Sequence, residues 1–241
     1  IERAIEEQKN IWIFGDYDVD GITSTSILYM ALKELGAENV NYYIPIRDEG
    51  YGLNNEALKK IKDSGADLVI TVDCGITAFP EVEFANSIDL PIIITDHHNL
   101  HGGKVPAAVA VVNPKRFENE FSFEFLAGVG TIFMVILCLY ERIGKKAKAY
   151  KYLDLVAIGT VADIVPLTDE NRIFVKQGLE LLNEDPRIGL KMLLELSSID
   201  TKIDEQTVGF YIAPKLNSIG RMDSAKLGLT FLMAEDPVTA R

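Results

Sequence analysis

Short apolar runs alternate with amphipathic helical patterns through the first half of the chain. Five runs are rich in β-branched residues and short enough to be strands. They lie at residues 11–15, 40–44, 67–72, 91–95 and 108–112, with helical patterns at 22–35, 54–64 and 79–87. Buried strands that alternate with helices form a parallel sheet covered on both faces. We therefore predict an α/β fold with a doubly wound, mainly parallel five-stranded sheet.

The second half of the chain carries helical patterns and no strand pattern. Long apolar helices are predicted at 126–143 and 147–162, and shorter ones near 171–182, 187–196, 206–213 and 225–234. The segment between the halves is short, so we expect one domain, with a sheet half at 1–113 and a C-terminal helical cap at 114–241. A helical pattern at 1–8 opens the chain without an initiator Met, and we expect a fragment of a longer protein.

The composition is that of an ordinary globular chain, with 241 residues of which 48% are hydrophobic and 25% charged. The longest apolar run, at 132–140, is far shorter than the roughly 20 residues that a bilayer requires, and no secretory leader is visible. Cys74 and Cys138 lie far apart, which argues against a disulfide framework and for a reducing, cytoplasmic compartment. The net charge of −12 argues against a basic nucleic-acid-binding face.

Acidic residues and histidines follow three of the predicted strands. The first strand leads into DYDVDG (residues 16–21), the third into Asp73, and the fourth into DHH (residues 96–98). Because parallel strands end at the same edge of a sheet, we expect these clusters to meet in one crevice. Asp163 lies in an apolar helical run, where a buried carboxylate needs a partner or a metal.

Each of these residues also has a simpler interpretation. An Asp at the end of a strand often caps a helix or forms a turn, adjacent histidines in a loop are usually solvated, and Asp163 could be a buried hydrogen-bonding residue. A calcium loop of the EF-hand type is excluded, because the twelfth residue counted from Asp16 is Ile27 instead of Glu. The simple interpretations would all have to coincide at one sheet edge, so we favour a shared site.

Carboxylates crowded into one crevice call for a cation, because they repel and raise one another's pKa. Two divalent ions bridged by one Asp would neutralise them, and such a pair can activate water and clamp both oxygens of a phosphoryl displacement. Oxygen ligands with one imidazole favour Mn²⁺ or Mg²⁺. Zinc would more often recruit cysteine, and Cys74 is a lone thiol.

The motif Asp96-His97-His98 resembles the one that names the DHH phosphoesterase superfamily. The blocks GDYDVDGITST, TVDCGI, TDHH, LAGVG, GTVADIVPL and PKLNSIGRM resemble, in this order, those of its RecJ branch, and they span residues 11–222. The resemblance implies a two-metal 5′→3′ exonuclease that hydrolyses single-stranded DNA to mononucleotides in DNA repair and recombination. It implies single-stranded DNA, a single-strand-binding protein and a helicase as partners, and no membrane.

The resemblance also implies a role for individual residues. The metal ligands would be Asp16, Asp18, Asp20, Asp73, His97 and Asp163. Asp73 would bridge the two ions, and Asp16 would either bind an ion itself or contact a residue that does. His98 would donate a hydrogen bond to the scissile phosphate, and Asp96 would orient the loop. Arg221 and Asn217 lie in a block that resembles a phosphate-contacting segment. Tyr51 would lie near the substrate path, and its ring could either stack on a base or only pack against its neighbours.

Phe14 separates the branches of the superfamily. Pyrophosphatases and hydrolases of small oligonucleotides carry a histidine at this position, four residues before Asp18, so a phosphodiesterase for short oligonucleotides or cyclic dinucleotides is the second hypothesis. A third is a non-catalytic DNA-binding scaffold, which should have lost the ligands that are present here. The branch continues into substrate-binding domains that we expect to be absent from this chain. The basic cluster Arg142, Lys145, Lys146, Lys148 and Lys151 is interpreted as a solvated helix junction more readily than as a DNA track.

Overall fold

The computed structural model describes residues 1–45, 50, 52–119, 121–221 and 225–236. The strands β1 (Ile11–Phe14), β2 (Val40–Tyr43), β3 (Leu68–Val72), β4 (Ile92–Thr95) and β5 (Ala110–Val112) form a five-stranded sheet in the order β2–β1–β3–β4–β5. Every neighbouring pair is parallel, which confirms the predicted sheet. The chain changes direction across the sheet between β1 and β3, and this is where doubly wound folds place their ligands.

The register of the strands brings their carboxyl ends together. Phe14 of β1 pairs with Thr71 of β3, and Val72 of β3 pairs with Thr95 of β4. The residues that follow Phe14, Val72 and Thr95 therefore leave the sheet at the same edge. This alignment positions all three polar clusters that the sequence places after these strands.

Helices cover both faces of the sheet, because successive strand residues point to opposite sides. On one side, Val69 and Ile94 pack into a core with α3 (Asn55–Asp63) and α4 (Phe79–Ser87). On the other, Ile70 packs into a larger core with α2 (Val19–Glu34) and the helices of the second half. A short helix, α1 (Glu2–Glu6), precedes β1.

The helix α2 is buried between the sheet and the helical half of the chain. It begins at Val19, three residues before the predicted start, because the side chain of Asp18 caps it by accepting a hydrogen bond from the Gly21 backbone N–H at 2.9 Å. Three of its buried hydroxyls, those of Thr23, Thr25 and Ser26, bond to carbonyls within the helix; the Thr25 hydroxyl, for example, donates to the Gly21 carbonyl at 2.8 Å. These three hydroxyls are therefore satisfied although residues 19–28 are all buried, whereas the Ser24 hydroxyl is buried without a hydrogen-bond partner among the described residues.

The second half is helical, as predicted, with one helix divided. It contains α5 (Gly128–Arg142), a 3₁₀ helix (Lys146–Tyr152), α6 (Leu153–Ala162), α7 (Asp169–Glu184) and α8 (Ile188–Leu196). The prediction of one helix over 147–162 was wrong. Only Ala149 and Tyr152 are buried in the first part of that segment, and a spacing of three residues falls on one face of a 3₁₀ helix.

The helical region near residue 210 extends further than predicted. The structure contains α9 (Glu205–Thr207), a π-helix (Val208–Ile212), α10 (Ala213–Arg221) and, after a gap in the described residues, α11 (Ala225–Leu232). The predicted end at residue 213 was wrong, because the backbone passes from the π-helix directly into α10 and stays helical through Pro214 to Arg221. Within the described ranges, no helix is long and apolar enough to cross a membrane.

A partly buried ion pair joins the helices of the second half. Arg187, just before α8, donates from Nε to Asp154 Oδ2 at 2.6 Å and from Nη2 to Asp154 Oδ1 at 2.7 Å. Its third nitrogen donates to the Leu232 carbonyl at the end of α11 at 3.3 Å. This two-pronged contact ties α6, α8 and α11 together and leaves both partially buried charges paired.

Candidate metal centre

Four polar segments meet at the carboxyl edge of the sheet. His97 is buried, and its Nε2 lies 3.2 Å from Asp73 Oδ1, 3.7 Å from Asp163 Oδ2 and 3.8 Å from Asp20 Oδ2. Asp73 follows β3, His97 follows β4, Asp20 lies in the first turn of α2, and Asp163 caps the end of α6. The structure therefore brings together residues that are up to 143 positions apart, from Asp20 to Asp163.

Within the part of the chain that the structure describes, three overlapping groups of side chains could each hold a metal ion. They are Asp73, His97 and His98; Asp20, His97 and Asp163; and Asp16, Asp18 and Asp73, with the ligand atoms of each group within 4.8 Å of one another. Asp73 and His97 each belong to two groups. Of these two residues, only Asp73 could bind two adjacent ions at once, because a carboxylate has two oxygens, whereas the single lone pair of His97 Nε2 can bind one ion.

Asp20 is fixed by the amino end of a helix in the second half. Its Oδ2 accepts a hydrogen bond from the Gly128 backbone N–H at 2.6 Å, and its Oδ1 accepts one from Val129 N–H at 2.8 Å. These are the first residues of α5, whose exposed N–H groups favour a negative charge. Burial and the neighbouring Asp163 nevertheless raise the pKa of Asp20 well above its usual range.

Asp73 occupies a constrained turn at the end of β3. Its backbone has a φ of +60°, a left-handed conformation that Asp tolerates better than most residues with a side chain. Burial and the nearby Asp20 raise the pKa of Asp73 well above its usual range. A cation near this carboxylate would offset both effects, because it favours the charged form.

Two glycines make room for these carboxylates. A Cβ built on Gly128 would lie 2.5 Å from Asp73 Oδ1, and one built on Gly159 would lie 2.4 Å from Thr23 Oγ1 and 3.0 Å from Asp20 Oδ1. Sequence reasoning assigned no role to either residue. Each glycine lies in a sequence block that resembles the RecJ branch, Gly128 in LAGVG and Gly159 in GTVAD. The side chain that each one accommodates, however, comes from a distant part of the chain, so the blocks alone do not reveal the role.

The pKa values of three further ligand candidates, Asp16, Asp163 and His97, are shifted. Burial and the charge of Asp18 raise the pKa of Asp16 to about 7, and the same causes raise that of Asp163 to about 6. Burial and the neighbouring His98 lower the pKa of His97 to about 4, so its imidazole is neutral at pH 7. Among the described residues, Asp16 Oδ1 and His97 Nε2 are buried without a hydrogen-bond partner. A neutral imidazole nitrogen and unsatisfied carboxylate oxygens fit the donor set of a divalent ion.

Asp96 organises the loop that carries the two histidines. Its Oδ1 accepts hydrogen bonds from the backbone N–H groups of His97 at 2.7 Å and His98 at 3.1 Å, and lies 2.7 Å from His98 Nδ1. Its Oδ2 accepts one from Ile76 N–H at 2.8 Å. Burial alone would raise the pKa of Asp96, but the hydrogen bonds, chiefly the one from His98, lower it; the same contact raises the pKa of His98. Asp96 belongs to none of the three ligand groups found among the described residues.

The other predicted residues lie around this centre or outside the described residues. Asn217, in α10, accepts a hydrogen bond from Val19 N–H at 3.2 Å through Oδ1, and so joins α10 to the start of α2. Arg221 is the last residue of α10. Tyr51 lies outside the described residues. Phe14 is buried and stacks on Tyr43 with a centroid separation of 5.4 Å, so this position belongs to the core and offers no metal ligand.

Three members of the basic cluster are paired with carboxylates. Arg142 contacts Glu2, Lys146 contacts Glu141 at 2.9 Å, and Lys151 contacts Glu34. Glu34 also accepts a hydrogen bond from the Tyr140 hydroxyl at 2.8 Å. These contacts favour the interpretation of the cluster as a helix junction.

Comparison with known proteins identifies relatives over the whole chain. The model described as DHH family, N-terminal domain, matches residues 10–160. The single-stranded-DNA-specific exonuclease RecJ of Bacillus subtilis is 45% identical over 242 residues, covering 100% of this chain and 30% of that protein. Its counterpart of the same name in Escherichia coli is 38% identical over 261 residues, covering 100% of this chain and 45% of that protein.

Solved structures agree with these relatives. The exonuclease RecJ bound to manganese matches 99% of this chain and 60% of that one, with a TM-score of 0.87 and 36% identity. RecJ from Thermus thermophilus in complex with Mn²⁺ matches 99% of this chain and 34% of that one, with a TM-score of 0.86 and 34% identity. The chain thus spans less than half the length of either curated relative.

Proposed function

Because the chain belongs to the DHH family, we propose that it is the catalytic part of a metal-dependent exonuclease that hydrolyses single-stranded DNA. The observation that carries the proposal is the position of His97 Nε2, within 3.8 Å of carboxylate oxygens of Asp20, Asp73 and Asp163. The names of its relatives, single-stranded-DNA-specific exonucleases, support the substrate. We propose residues 1–241 as one catalytic domain, with a sheet half at 1–113 and a helical half at 114–241.

The same residues fit two divalent ions, and we propose Mn²⁺ or Mg²⁺. The ligands would be Asp16, Asp18, Asp20, Asp73, His97 and Asp163. Relatives solved with Mn²⁺ and with Mg²⁺ support this choice. Such ions supply Lewis-acid activation of water and neutralise charge on the phosphate. Asp73, which belongs to two of the ligand groups, is the residue that we assign to both ions.

His98 and Asp96 would act together on the phosphate. The contact between His98 Nδ1 and Asp96 Oδ1 raises the pKa of His98 and favours its protonated form. With Nδ1 engaged, Nε2 is the nitrogen that would donate a hydrogen bond to a phosphate oxygen. A fixed donor of this kind stabilises the charge that develops on the oxygens in the transition state. Asp96 is a positioning residue in this scheme, since it holds both the loop and the ring.

Further parts of the proposal rest on the resemblance to the RecJ branch. They are the 5′→3′ polarity, mononucleotide products, a role in DNA repair and recombination, and a cytoplasmic location. A single-strand-binding protein and a helicase would be partners. Arg221, Asn217 and Tyr51 would contact the substrate, although Asn217 already uses Oδ1 to hold Val19, which leaves its amide nitrogen for that purpose. Domains outside this chain would add further substrate contacts.

The two other hypotheses lack support of this kind. A phosphodiesterase for short oligonucleotides or cyclic dinucleotides is disfavoured by Phe14, which is buried against Tyr43 where that branch has a histidine. A non-catalytic scaffold is disfavoured because the pKa values of Asp20 and Asp73 are raised by burial. Such a cluster of carboxylates destabilises the fold unless a cation is bound, and a scaffold without a metal site would not need it.

The proposal is tested with oligonucleotides labelled at either end. With Mn²⁺, a 5′ label should be released first as a mononucleotide, whereas a 3′ label should remain on a shortening strand. Chelator should stop both reactions, and Asp73→Asn should show neither. Release of the 3′ label first would contradict the polarity, preferential hydrolysis of a cyclic dinucleotide would favour the second hypothesis, and binding without hydrolysis would favour the scaffold.

A further inference from the structure

A groove of about 470 Å³ opens beside the candidate metal centre. It lies between the end of α6 and the π-helix, and its border includes Val161, Ala162, Ile164, Gly209, Phe210 and Asn217. Its volume is within the range of sites that hold small ligands. Most of the side chains along it are apolar, in contrast to the carboxylates next to it.

Both walls of this groove are directly connected to the candidate metal ligands. On one wall, Ala162 and Ile164 flank Asp163, whose Oδ2 is 3.7 Å from His97 Nε2. On the other, Asn217 accepts the hydrogen bond from Val19, which lies between Asp18 and Asp20. A substrate phosphate bound at the candidate metal centre would therefore lie next to this groove.

The groove presents two large apolar side chains to solvent. Phe210 is 76% exposed and Ile164 is 88% exposed. Ile164 also has a φ of +59°, a strained conformation that β-branched residues rarely adopt. Phe210 projects from a π-helix, a distortion that is frequent at functional sites. Exposed apolar surface concentrated beside a polar centre is typical of a ligand site.

We propose that this groove binds a base of the single-stranded substrate, which stacks on the ring of Phe210. The inference rests on the proposed function and adds a base-binding site to it. An aromatic ring accepts any base, as a nuclease without sequence preference requires. Glu205 and Gln206 border the same groove and offer hydrogen-bonding groups to a base edge. One turn further along, Lys215 Nζ lies 5.9 Å from the centroid of the Tyr211 ring and could neutralise a backbone phosphate.

This site would also favour single strands over duplexes. A base can occupy the groove only after it leaves the stack of its neighbours, and in a duplex that step also requires breaking a base pair. Unstacked bases of a single strand meet this requirement at a lower cost. The site would therefore select for single-stranded substrate at the position next to the carboxylates.

The test combines a protein change with a change in the DNA. Wild-type protein, Phe210→Ala and Phe210→Trp are measured for binding to oligonucleotides in which a single abasic residue is moved from the first to the fifth nucleotide. Anisotropy of a 3′ dye reports binding, with Ca²⁺ in place of Mn²⁺ to slow hydrolysis. Phe117→Ala is the matched control, because Phe117 is 99% exposed and does not border the groove. Mn²⁺-dependent hydrolysis and circular dichroism are measured on the same preparations.

We expect Phe210→Ala to weaken binding of the intact oligonucleotide by roughly fivefold to a hundredfold, the effect of losing one base stack. One abasic position should weaken binding to wild-type protein by a similar factor and have no further effect on Phe210→Ala. Phe210→Trp should retain affinity, and Phe117→Ala should behave as wild type.

Two results would overturn the inference separately from the proposed function. If wild-type protein hydrolyses single-stranded DNA but no abasic position is coupled to Phe210, the groove does not bind a base. The same conclusion follows if Phe210→Ala binds the intact strand as tightly as wild type, as it would if another polypeptide covered the groove. If the folded wild-type protein neither binds nor hydrolyses the strand, both the proposed function and the base site fail.

Discussion

Gly128 lies directly against the carboxylate of Asp73. A Cβ built on Gly128 would lie 2.5 Å from Asp73 Oδ1 and 2.6 Å from Asp73 Cβ, closer than side-chain atoms approach one another. The backbone N–H of the same glycine donates to Asp20 Oδ2 at 2.6 Å. One residue at the start of α5 therefore sets the position of two carboxylates that come from two other segments of the chain.

Gly128→Ala should displace Asp73 and weaken metal binding. We expect Mn²⁺ affinity, measured by calorimetry, to fall by at least about tenfold, as is usual when the support of a ligand is lost. Gly130→Ala is the control, because the three atoms nearest to a Cβ there belong to the Leu126 side chain, the first at 3.3 Å, and not to a candidate metal ligand. Equal Mn²⁺ affinity in the two variants would show that the contact with Asp73 has no functional consequence.

Asp73→Asn should abolish hydrolysis and keep the fold. The amide removes a buried negative charge whose pKa is raised by burial and Asp20, so metal-free protein should melt at the same temperature or higher. Activity should fall below about 1% of wild type, given the share of the rate that a metal centre supplies. Activity above that level in saturating Mn²⁺ would contradict the assignment of Asp73 to both ions.

The two adjacent histidines should differ in their effects. His97→Ala should weaken metal binding, because His97 Nε2 faces three carboxylates. His98→Ala should keep metal affinity and lower kcat by roughly 10²–10³, the usual effect of removing one transition-state donor. Calorimetry and kinetics on both variants separate the roles, and an equal loss of metal affinity in both would make His98 a ligand.

Without metal, the stability of the chain should fall as the pH rises from about 5 to 8. Burial raises the pKa of Asp16 to about 7 and of Asp163 to about 6, so the folded state holds protons that the unfolded state has released at a pH near 4. His97 has the opposite effect. Its pKa is lowered to about 4, so between pH 4 and 6.5 it makes stability rise with pH, but it is one group and the carboxylates with raised pKa values are several.

Denaturant titrations at several pH values, with and without Mn²⁺, measure this dependence. Mn²⁺ should restore stability at pH 8, because the ion favours the ionised carboxylates. Asp16→Asn should flatten the metal-free dependence between pH 5 and 8. A metal-free protein that becomes more stable across this range would contradict the crowding of carboxylates in the folded state.

DNA binding by this chain alone should depend weakly on salt. Three of the five residues in the basic cluster are paired with carboxylates, and the net charge is −12. We expect the plot of log affinity against log salt to have a slope of magnitude about 2 or less, equivalent to some three phosphate contacts. Cleavage should be distributive, with strands of every intermediate length on a gel. Processive cleavage in about 0.15 M salt would instead assign Lys145 and Lys148 to a DNA track.

Local patterns were sufficient to predict the sheet. The strands β1, β3 and β4 are continuous apolar runs, and their burial on both sides follows from helices that alternate with them. Once the strands are parallel, Asp73 and His97 must leave the sheet at the same edge. The convergence of the polar clusters could therefore be predicted without knowing any long-range contact.

Patterns failed where packing changed the helix type. The segment 146–162 has helical composition throughout, but its first part is a 3₁₀ helix whose buried Ala149 and Tyr152 face the core. The π-helix Val208–Ile212 is also invisible to a search for a 3.6-residue period. In both segments the backbone adjusts to bury particular side chains, and the neighbours that determine which ones are buried lie elsewhere in the chain.

The sequence by itself determined the parallel sheet, the edge at which the polar residues gather and the chemical type of the candidate metal ligands. Only the tertiary structure decided how these ligands are held. The two backbone donors to Asp20 come from Gly128 and Val129, and the donor to Asn217 comes from Val19. These partners are separated by more than a hundred residues, and no period or spacing along the chain relates them. Local periodicity encodes which residues share a face, whereas the distance between two faces is set by the packing of whole helices against the sheet.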